Sequence, residues 1–425
     1  MWSLLKLAFR NVFRFKRRTF IALSAISIGL ALLVASISLL DGIDQQSISN
    51  IINCQTSHVK IFHKGYFDRK DKFPMDLTIN RSEEVHELIY DISDIKATEN
   101  RILFGASLIK GVDELPCLGV AVETEKDPDL FNIKESILEG EWLQPGEAKV
   151  LIGKDLAKDI GLKVGDLITV RMITSSDEED FSWNAMDLEV KGIFESGNPT
   201  VDSMRIIIPM ETAQEGLSLG AAVTEVVVRL NSGDDRVIER VMFGIRERLK
   251  LRNLNLEVYS WKDLAGDFLL ISQMKSKGTG MIIFILLFIA SMGIINTMLM
   301  AVMERTREIG MMAALGMKKS EIMKLFIFEG GFIGIFGSLL GCLLGGLGSW
   351  YLEVKGWSMS FLLRSPDMEK MMQSVYPVKD VYYADLTFGV LLMTFIFGTV
   401  IAILASMYPA RKAAKMNPIQ ALRHI

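Results

Sequence analysis

Few residues in this chain are spaced for chemistry. A phosphate loop needs Gly-x-x-x-x-Gly-Lys-Ser/Thr, so that backbone N–H groups and a lysine cradle the phosphates. Gly153-Lys154 follows a strand-like run but lacks the upstream glycine and the hydroxyl residue. His58, His63, His86 and His424 have no metal-ligand spacing, and no Gly-x-Ser-x-Gly nucleophile turn occurs. Asp177-Glu178-Glu179-Asp180 reads as a solvated loop rather than a cation site. Three cysteines make no disulfide framework: Cys54 and Cys117 could form one bridge or stay free, and Cys342 reads as packing. No catalytic, cofactor or metal site is expected, so any work the chain does must be powered by another subunit.

Two segments say more. One apolar run empties into Glu304-Arg305-Thr306-Arg307-Glu308-Ile309-Gly310, then Ala313-Ala314-Leu315-Gly316; another ends in a basic, small-residue tail from Pro409 to Arg423. In segment 303–324, two short helices around Gly316 are expected. Arg305, Arg307 and Glu308 fall on a charged side, Ile309, Met312 and Ala313 on an apolar one. Such a loop can lie on a membrane and also fill a groove on a partner. Its candidate partner-coupling residues are Arg305, Arg307, Glu308, Ile309, Met312, Leu315, Gly316, Met317 and Lys318.

The elements that must position this loop are membrane spans. Half of the 425 residues are apolar, and mean hydropathy is +0.29. Segments 20–40, 281–302, 325–352 and 386–408 each suffice, at about 1.5 Å per residue, to cross a hydrocarbon layer of roughly 30 Å. The first is too long for the core of a cleaved signal and reads as a signal-anchor. The formal net charge of −4 hides an asymmetry: residues 1–18 carry six Lys/Arg and no acid, whereas 41–278 carries 28 basic and 42 acidic residues. The positive-inside rule then places both termini (1–18 and 409–425) and loop 303–324 in the cytoplasm. It places 41–278 and loop 353–385 outside.

Within 1–18, Lys6, Arg10 and Arg14 form a basic stripe, and Trp2, Leu5, Phe9 and Phe13 an apolar face, as in an interfacial helix. The third span carries Gly330, Gly334, Gly337, Gly341, Gly345 and Gly348 at steps of three and four, a face for close helix packing. Glu329 lies one turn inside it, close enough to the interface to snorkel or to pair with Lys324. Asn296 and Thr297 in the second span are expected to hydrogen-bond between helices. Outer halves of the first two spans supply candidate walls of an apolar substrate cavity: Val34, Ile37, Leu40, Met281, Phe284, Ile285 and Phe288.

Segment 41–278 is large enough to fold alone. Strand-like runs are 58–62, 102–109, 115–122, 148–152, 167–173, 188–194, 204–209, 225–230 and 256–261; helical patterns are 82–92, 154–160 and 234–251. The expected fold is an α-helical membrane protein with four transmembrane helices and a large extracytoplasmic α+β domain. That domain is read as a split α/β part, 45–114 with 223–262, holding an inserted β subdomain at 115–222.

Glu304–Gly316 with Lys318-Lys319-Ser320-Glu321-Ile322 resembles the signature after the second span of MacB/FtsX-like ABC permeases. The tail resembles their Pro-Ala-x-x-Ala-x-x-x-x-Pro-x-x-Ala-Leu-Arg ending, and Leu7-Ala8-Phe9-Arg10-Asn11 their N-terminal helix. Val164-Gly165-Asp166 and the run Val190–Gly197, continuing to Asp202-Ser203 and Ile206–Pro209, are most similar to the lipoprotein-releasing LolC/LolE group. The resemblance makes the split part porter-like. It implies a permease of the cell inner membrane, paired with an identical or paralogous second permease and a dimer of separate ABC ATPase subunits that bind ATP and Mg. It implies lipoprotein extraction and transfer to a periplasmic carrier, with the substrate acyl chains in the cavity named above. Nucleic acid is not an expected partner. The alternatives within the superfamily are FtsX-like mechanotransmission to a cell-wall hydrolase and MacB-like efflux.

Overall fold

The computed structural model describes residues 1–417 apart from Phe15, 178–179 and 359–380. Glu178 and Glu179 of the acidic run, His424, the end of the tail motif and most of loop 353–385 therefore lie outside the described residues. The chain divides into two compact units, one of residues 1–45, 272–358 and 381–417, the other built on 46–271.

The chain starts with helix α1 (Trp2–Arg14) and the long helix α2 (Lys16–Ile51). A π-helical turn, Ile52–Thr56, follows, and Ser57 stops it with a φ of 54°. Two of that turn's carbonyls are held from within the second unit: Arg205 Nη1 donates to Cys54 O at 2.5 Å and Arg229 Nη1 to Ile52 O at 3.5 Å, while Arg229 Nη2 reaches the Asn53 side chain at 2.6 Å. These bonds satisfy groups that a helix end would otherwise leave unpaired.

The second unit is one ten-stranded sheet with short helices. In chain order it contains β1 (Val59–His63), α3 (Ser82–Ile89), β2 (Ile95–Lys110), β3 (Asp113–Val122), α4 (Asp127–Leu130), β4 (Ile137–Gly140), β5 (Lys149–Gly153) and α5 (Lys154–Ile160). Then come β6 (Leu167–Asp177), β7 (Asp180–Phe194), α6 (Pro199–Met204), β8 (Arg205–Pro209), α7 (Met210–Leu217), β9 (Glu225–Leu230), α8 (Asp235–Leu251), β10 (Leu256–Ser260) and α9 (Trp261–Leu264). The sheet order is β10-β1-β9-β2-β3-β8-β5-β7-β4, with β6 joining β2 to β7. Most pairs are antiparallel; β3 with β8 and β5 with β7 are parallel. Helices α8 and α9 start on side-chain caps: Asp234 accepts from Arg236 N at 2.9 Å, and Ser260 with Asp263 forms a capping box.

The expected boundary at 114/115 falls inside β3 and marks no break in the sheet. The reason is β2, 16 residues long. Its first half pairs with β9, its second half with β6, and β3 pairs along it from Arg101 to Lys110. One core cluster likewise joins Val59, Ile61 and Val228 to Val150, Val190 and Ile206.

The remaining helices among the described residues are α10 (Gly266–Glu304), α11 (Thr306–Ala314), α12 (Lys319–Lys355) and α13 (Phe388–Ala414). A two-strand ladder, β11 (Trp357–Ser358) with β12 (Val381–Tyr382), precedes α13. Among the described residues four helices are long and apolar enough to cross a membrane: 19–56, 266–304, 319–355 and 388–414. Each outruns its expected span, because polar residues beyond the apolar core continue the helix.

The α12 glycines meet two different neighbours. A Cβ at Gly330 or Gly334 would strike Ser406 or Ala402 of α13; at Gly337, Gly341 or Gly345 it would strike Ile26, Leu30 or Val34 of α2. Gly348 has nothing within 4 Å and stands apart from this stripe.

Candidate functional site

Segment 303–324 begins where α10 ends. Arg305 leaves helical geometry at φ −100° and ψ 16°, and α11 starts at Thr306. Gly316 ends α11 with φ +92°, while Gly316 N and Met317 N donate to Ala313 O and Met312 O at 3.1 Å. A side chain is strained at such a φ, so glycine suits this C-cap. Lys318 N donates to Glu321 Oε2 at 2.9 Å and opens α12.

The apolar side of α11 is inserted rather than displayed. Ile309 is 1% exposed and packs with Val302, Ile322, Phe326, Ala410 and Ala413; Met312 and Met317 border this cluster. The small residues of α13 thus serve as the floor for α11, while Arg411, Lys412 and Lys415 remain exposed. Exposed on α11 and the turn after it are Arg307, Met311, Leu315, Gly316 and Lys318; Leu315 is 88% exposed. Met311 lies one turn after Arg307 and shares its face; it is absent from the expected set because its side chain is apolar.

Arg305 departs from its expected place on an exposed charged side. It is buried at 4% exposure. Its Nη1 donates to Glu329 Oε1 and Oε2 at 2.8 and 3.1 Å, and its Nε to Glu308 Oε2 at 2.9 Å. Glu329 is thus paired with Arg305 and not with Lys324, and it also accepts from Asn11 Nδ2 at 2.7 Å. Glu308 in turn meets Arg14 at 3.0 Å. Hydrogen bonding from Arg305, with Arg14 beyond it, holds the Glu308 carboxyl below its usual range. No local pattern marks this group, because Arg305 and Glu329 are 24 residues apart and Asn11 and Glu329 are 318 apart.

Candidate cavity walls are dispersed. Met281, Phe284, Ile285 and Phe288 line an exposed face of α10, at 46–70% exposure. Ile37 and Leu40 are half-buried. Val34 is fully buried against Gly345, so it packs α2 on α12 and walls no cavity. A cavity between α2, α10 and α13, lined by Leu30, Leu33, Leu287 and Gly398, measures about 20 Å³. That is room for about one water molecule, not an acyl chain. Thr297 Oγ1 bonds Gly293 O of its own helix at 2.7 Å and Asn296 is exposed, so neither makes the expected bond between helices.

His86 and His58 have structural partners. His86 lies between Thr98 Oγ1 and Asn100 Oδ1, and His58 Nδ1 accepts from Leu230 N at 3.2 Å. Among the described residues no three His, Cys, Asp or Glu side chains gather as a metal site. Cys54 and Cys117 are free and buried.

Comparison with known proteins agrees with this layout. The sequence model of the MacB-like periplasmic core domain matches residues 19–242, just over half of the chain. That of the FtsX-like permease C-terminal matches 280–418. The lipoprotein-releasing system transmembrane protein LolC of Xylella fastidiosa is 24% identical over 75% of each chain. LolC of Neisseria meningitidis is 22% identical over 96% of this chain and 94% of its own length. The macrolide export ATP-binding/permease protein MacB of Vibrio parahaemolyticus is 23% identical over 98% of this chain and 59% of its own. With four apolar helices, an α/β domain after the first of them and an FtsX-like C-terminal part, this chain belongs to the MacB/FtsX/LolC family of ABC transporter permeases, the non-catalytic membrane component of such transporters.

Proposed function

We propose that this chain is the permease subunit of a transporter that extracts lipoproteins from the inner membrane, driven by a separate ATPase, for transfer to a periplasmic carrier. The observation that carries this reading is the extent of similarity. It runs along nearly the whole of a LolC protein, but along little more than half of a MacB. In this reading both termini and α11 face the cytoplasm, as the Lys/Arg bias favours. The ATPase dimer, which binds the ATP and Mg, grips Arg307, Met311, Leu315 and Lys318. Arg305 and Ile309 sit beneath that surface and hold it in place.

An acyl chain needs more room than one water-sized cavity. The exposed apolar face of α10 (Met281, Phe284, Ile285, Phe288) supplies one wall, and the facing wall comes from a second permease, identical or paralogous. Hydrolysis then changes the helix packing and expels the chain outward. Photo-crosslinkers at Phe284 and Ile285 should trap lipoprotein, and ATP with the ATPase should reduce the trapped fraction. If they capture only phospholipid, and depletion of the chain leaves outer-membrane lipoproteins correctly sorted, the reading fails. MacB-like efflux or FtsX-like signalling would then replace it.

A further inference from the structure

We propose that Asn11, Arg305 and Glu329 form a clasp that makes helix α1 part of the moving element, so that α1, α11 and the inner end of α12 travel as one body when a partner pulls on α11. The proposal rests on the ATPase-driven reading above.

Glu329 is the centre of the clasp. It is 2% exposed, and both of its oxygens are used. Oε1 accepts from Asn11 of α1 and from Arg305 at the head of α11, and Oε2 accepts again from Arg305. Arg305 Nη1 alone spans both carboxylate oxygens, so the two charge-assisted hydrogen bonds share one donor nitrogen and lengthen together when the helices slide. A buried pair contributes little net stability over an apolar packing of the same volume, yet it is costly to break by removing one partner. It therefore acts as an all-or-none tie between helices.

Two further contacts hold α1 in the same group. On its outer side Glu308 bridges Arg305 and Arg14. On its apolar side Phe9 meets Phe332 with ring centroids 5.5 Å apart, and Phe13 meets Phe336 at 6.0 Å. An interfacial helix that only floats in headgroups needs neither a buried amide aimed at a carboxylate nor an aromatic lock. Asn11, itself 7% exposed, has its amide committed to Glu329. Glu329 and Asn11 are accordingly positioning residues: they carry displacement from α11 to α1 and α12.

The test uses the full chain in lipid nanodiscs, alone and with its ATPase. Nitroxide labels at exposed positions Lys6 on α1 and Ala314 on α11, outside the residues the ATPase grips, report the distance between these helices. Wild type should give one narrow distribution. Asn11→Ala, which leaves the Arg305–Glu329 pair intact, and Glu329→Gln, which keeps the shape and removes the charge, should both broaden it. In the complex, lipoprotein released per ATP hydrolysed should fall about tenfold in both variants, while ATPase capture stays at the wild-type level. Exchanging the pair, Arg305→Glu with Glu329→Arg, should recover part of that loss. A distribution as narrow as wild type in both variants overturns the clasp. So does broadening without loss of release per ATP, which would make the group merely structural. If Glu329→Gln does not accumulate, Asn11→Ala decides alone. If wild type releases no lipoprotein at all, the transport reading falls. The clasp is then judged by the distances and by whether the ATP-driven shift in the Lys6–Ala314 distance is lost in Asn11→Ala.

Discussion

His58 is a residue whose ring must stay neutral for its one good hydrogen bond. Leu230 N–H donates to Nδ1, so Nδ1 carries no proton and Nε2 does. Burial, with Arg229 nearby, lowers its pKa from 6.5 to about 4. The unfolded chain binds a proton at higher pH than the folded one. The contribution to stability is therefore complete above pH 6.5 and is lost as pH falls from there towards 4. After allowance for solvent screening, the loss is on the order of 2 kcal/mol. Protection of the Leu230 amide against hydrogen exchange, corrected for intrinsic rate, should decline over the same window. In His58→Gln the pH-dependent part of that decline should vanish. An unchanged acid limb in His58→Gln would assign it to other groups. Cys117 is the second residue with a sharp expectation. Burial pushes its thiol up to about 12, so at pH 8 it is a buried thiol and inert to maleimide. The sequence allowed an exposed, reactive Cys117; the fold removes it.

At the scale of elements, α12 separates packed glycines from idle ones. Gly341→Leu adds bulk where a single Cβ would already lie 2.8 Å from Leu30 Cβ and 3.1 Å from Ser27 O. Overpacking of this kind costs about 1–3 kcal/mol and should lower the yield of assembled membrane domain. Gly348→Leu, in the same helix with open space around it, should be near neutral. Equal yields for both variants would mean that the α2–α12 contact is not tight. This stripe was legible because period and residue size carry it. The spans and most strands were legible for the same reason: apolar period and turn residues are local. Three kinds of feature were not. Helices α6 and α7 are short and packed on strands, so their periods are incomplete. The length of β2 depends on three partner strands supplied from elsewhere in the chain. The Asn11–Arg305–Glu329 group joins residues whose neighbours in sequence give no sign of each other. Arg305 reads as a surface charge in sequence because its burial is decided by α12 and α1.

For the whole molecule, charge bias predicts which side each part occupies. A cysteine placed at Val112, fully exposed at the β2–β3 turn, should react with an impermeant reagent in sealed spheroplasts. Cysteines at Lys318 and Ser320 should react only after lysis, and the native Cys54 and Cys117 should stay unlabelled in both conditions. Labelling of Lys318→Cys in sealed cells would invert the orientation and remove α11 from any cytoplasmic partner. The central claim, that this permease moves lipoproteins, is tested most directly by release from proteoliposomes. The chain is reconstituted with its ATPase and second permease together with an acylated lipoprotein, and soluble lipoprotein is measured after addition of ATP and a periplasmic carrier fraction. The account predicts ATP-dependent release that Arg307→Glu with Leu315→Asp abolishes while the complex with the lipid substrate persists. Hydrolysis of ATP with no lipoprotein leaving the membrane would contradict it.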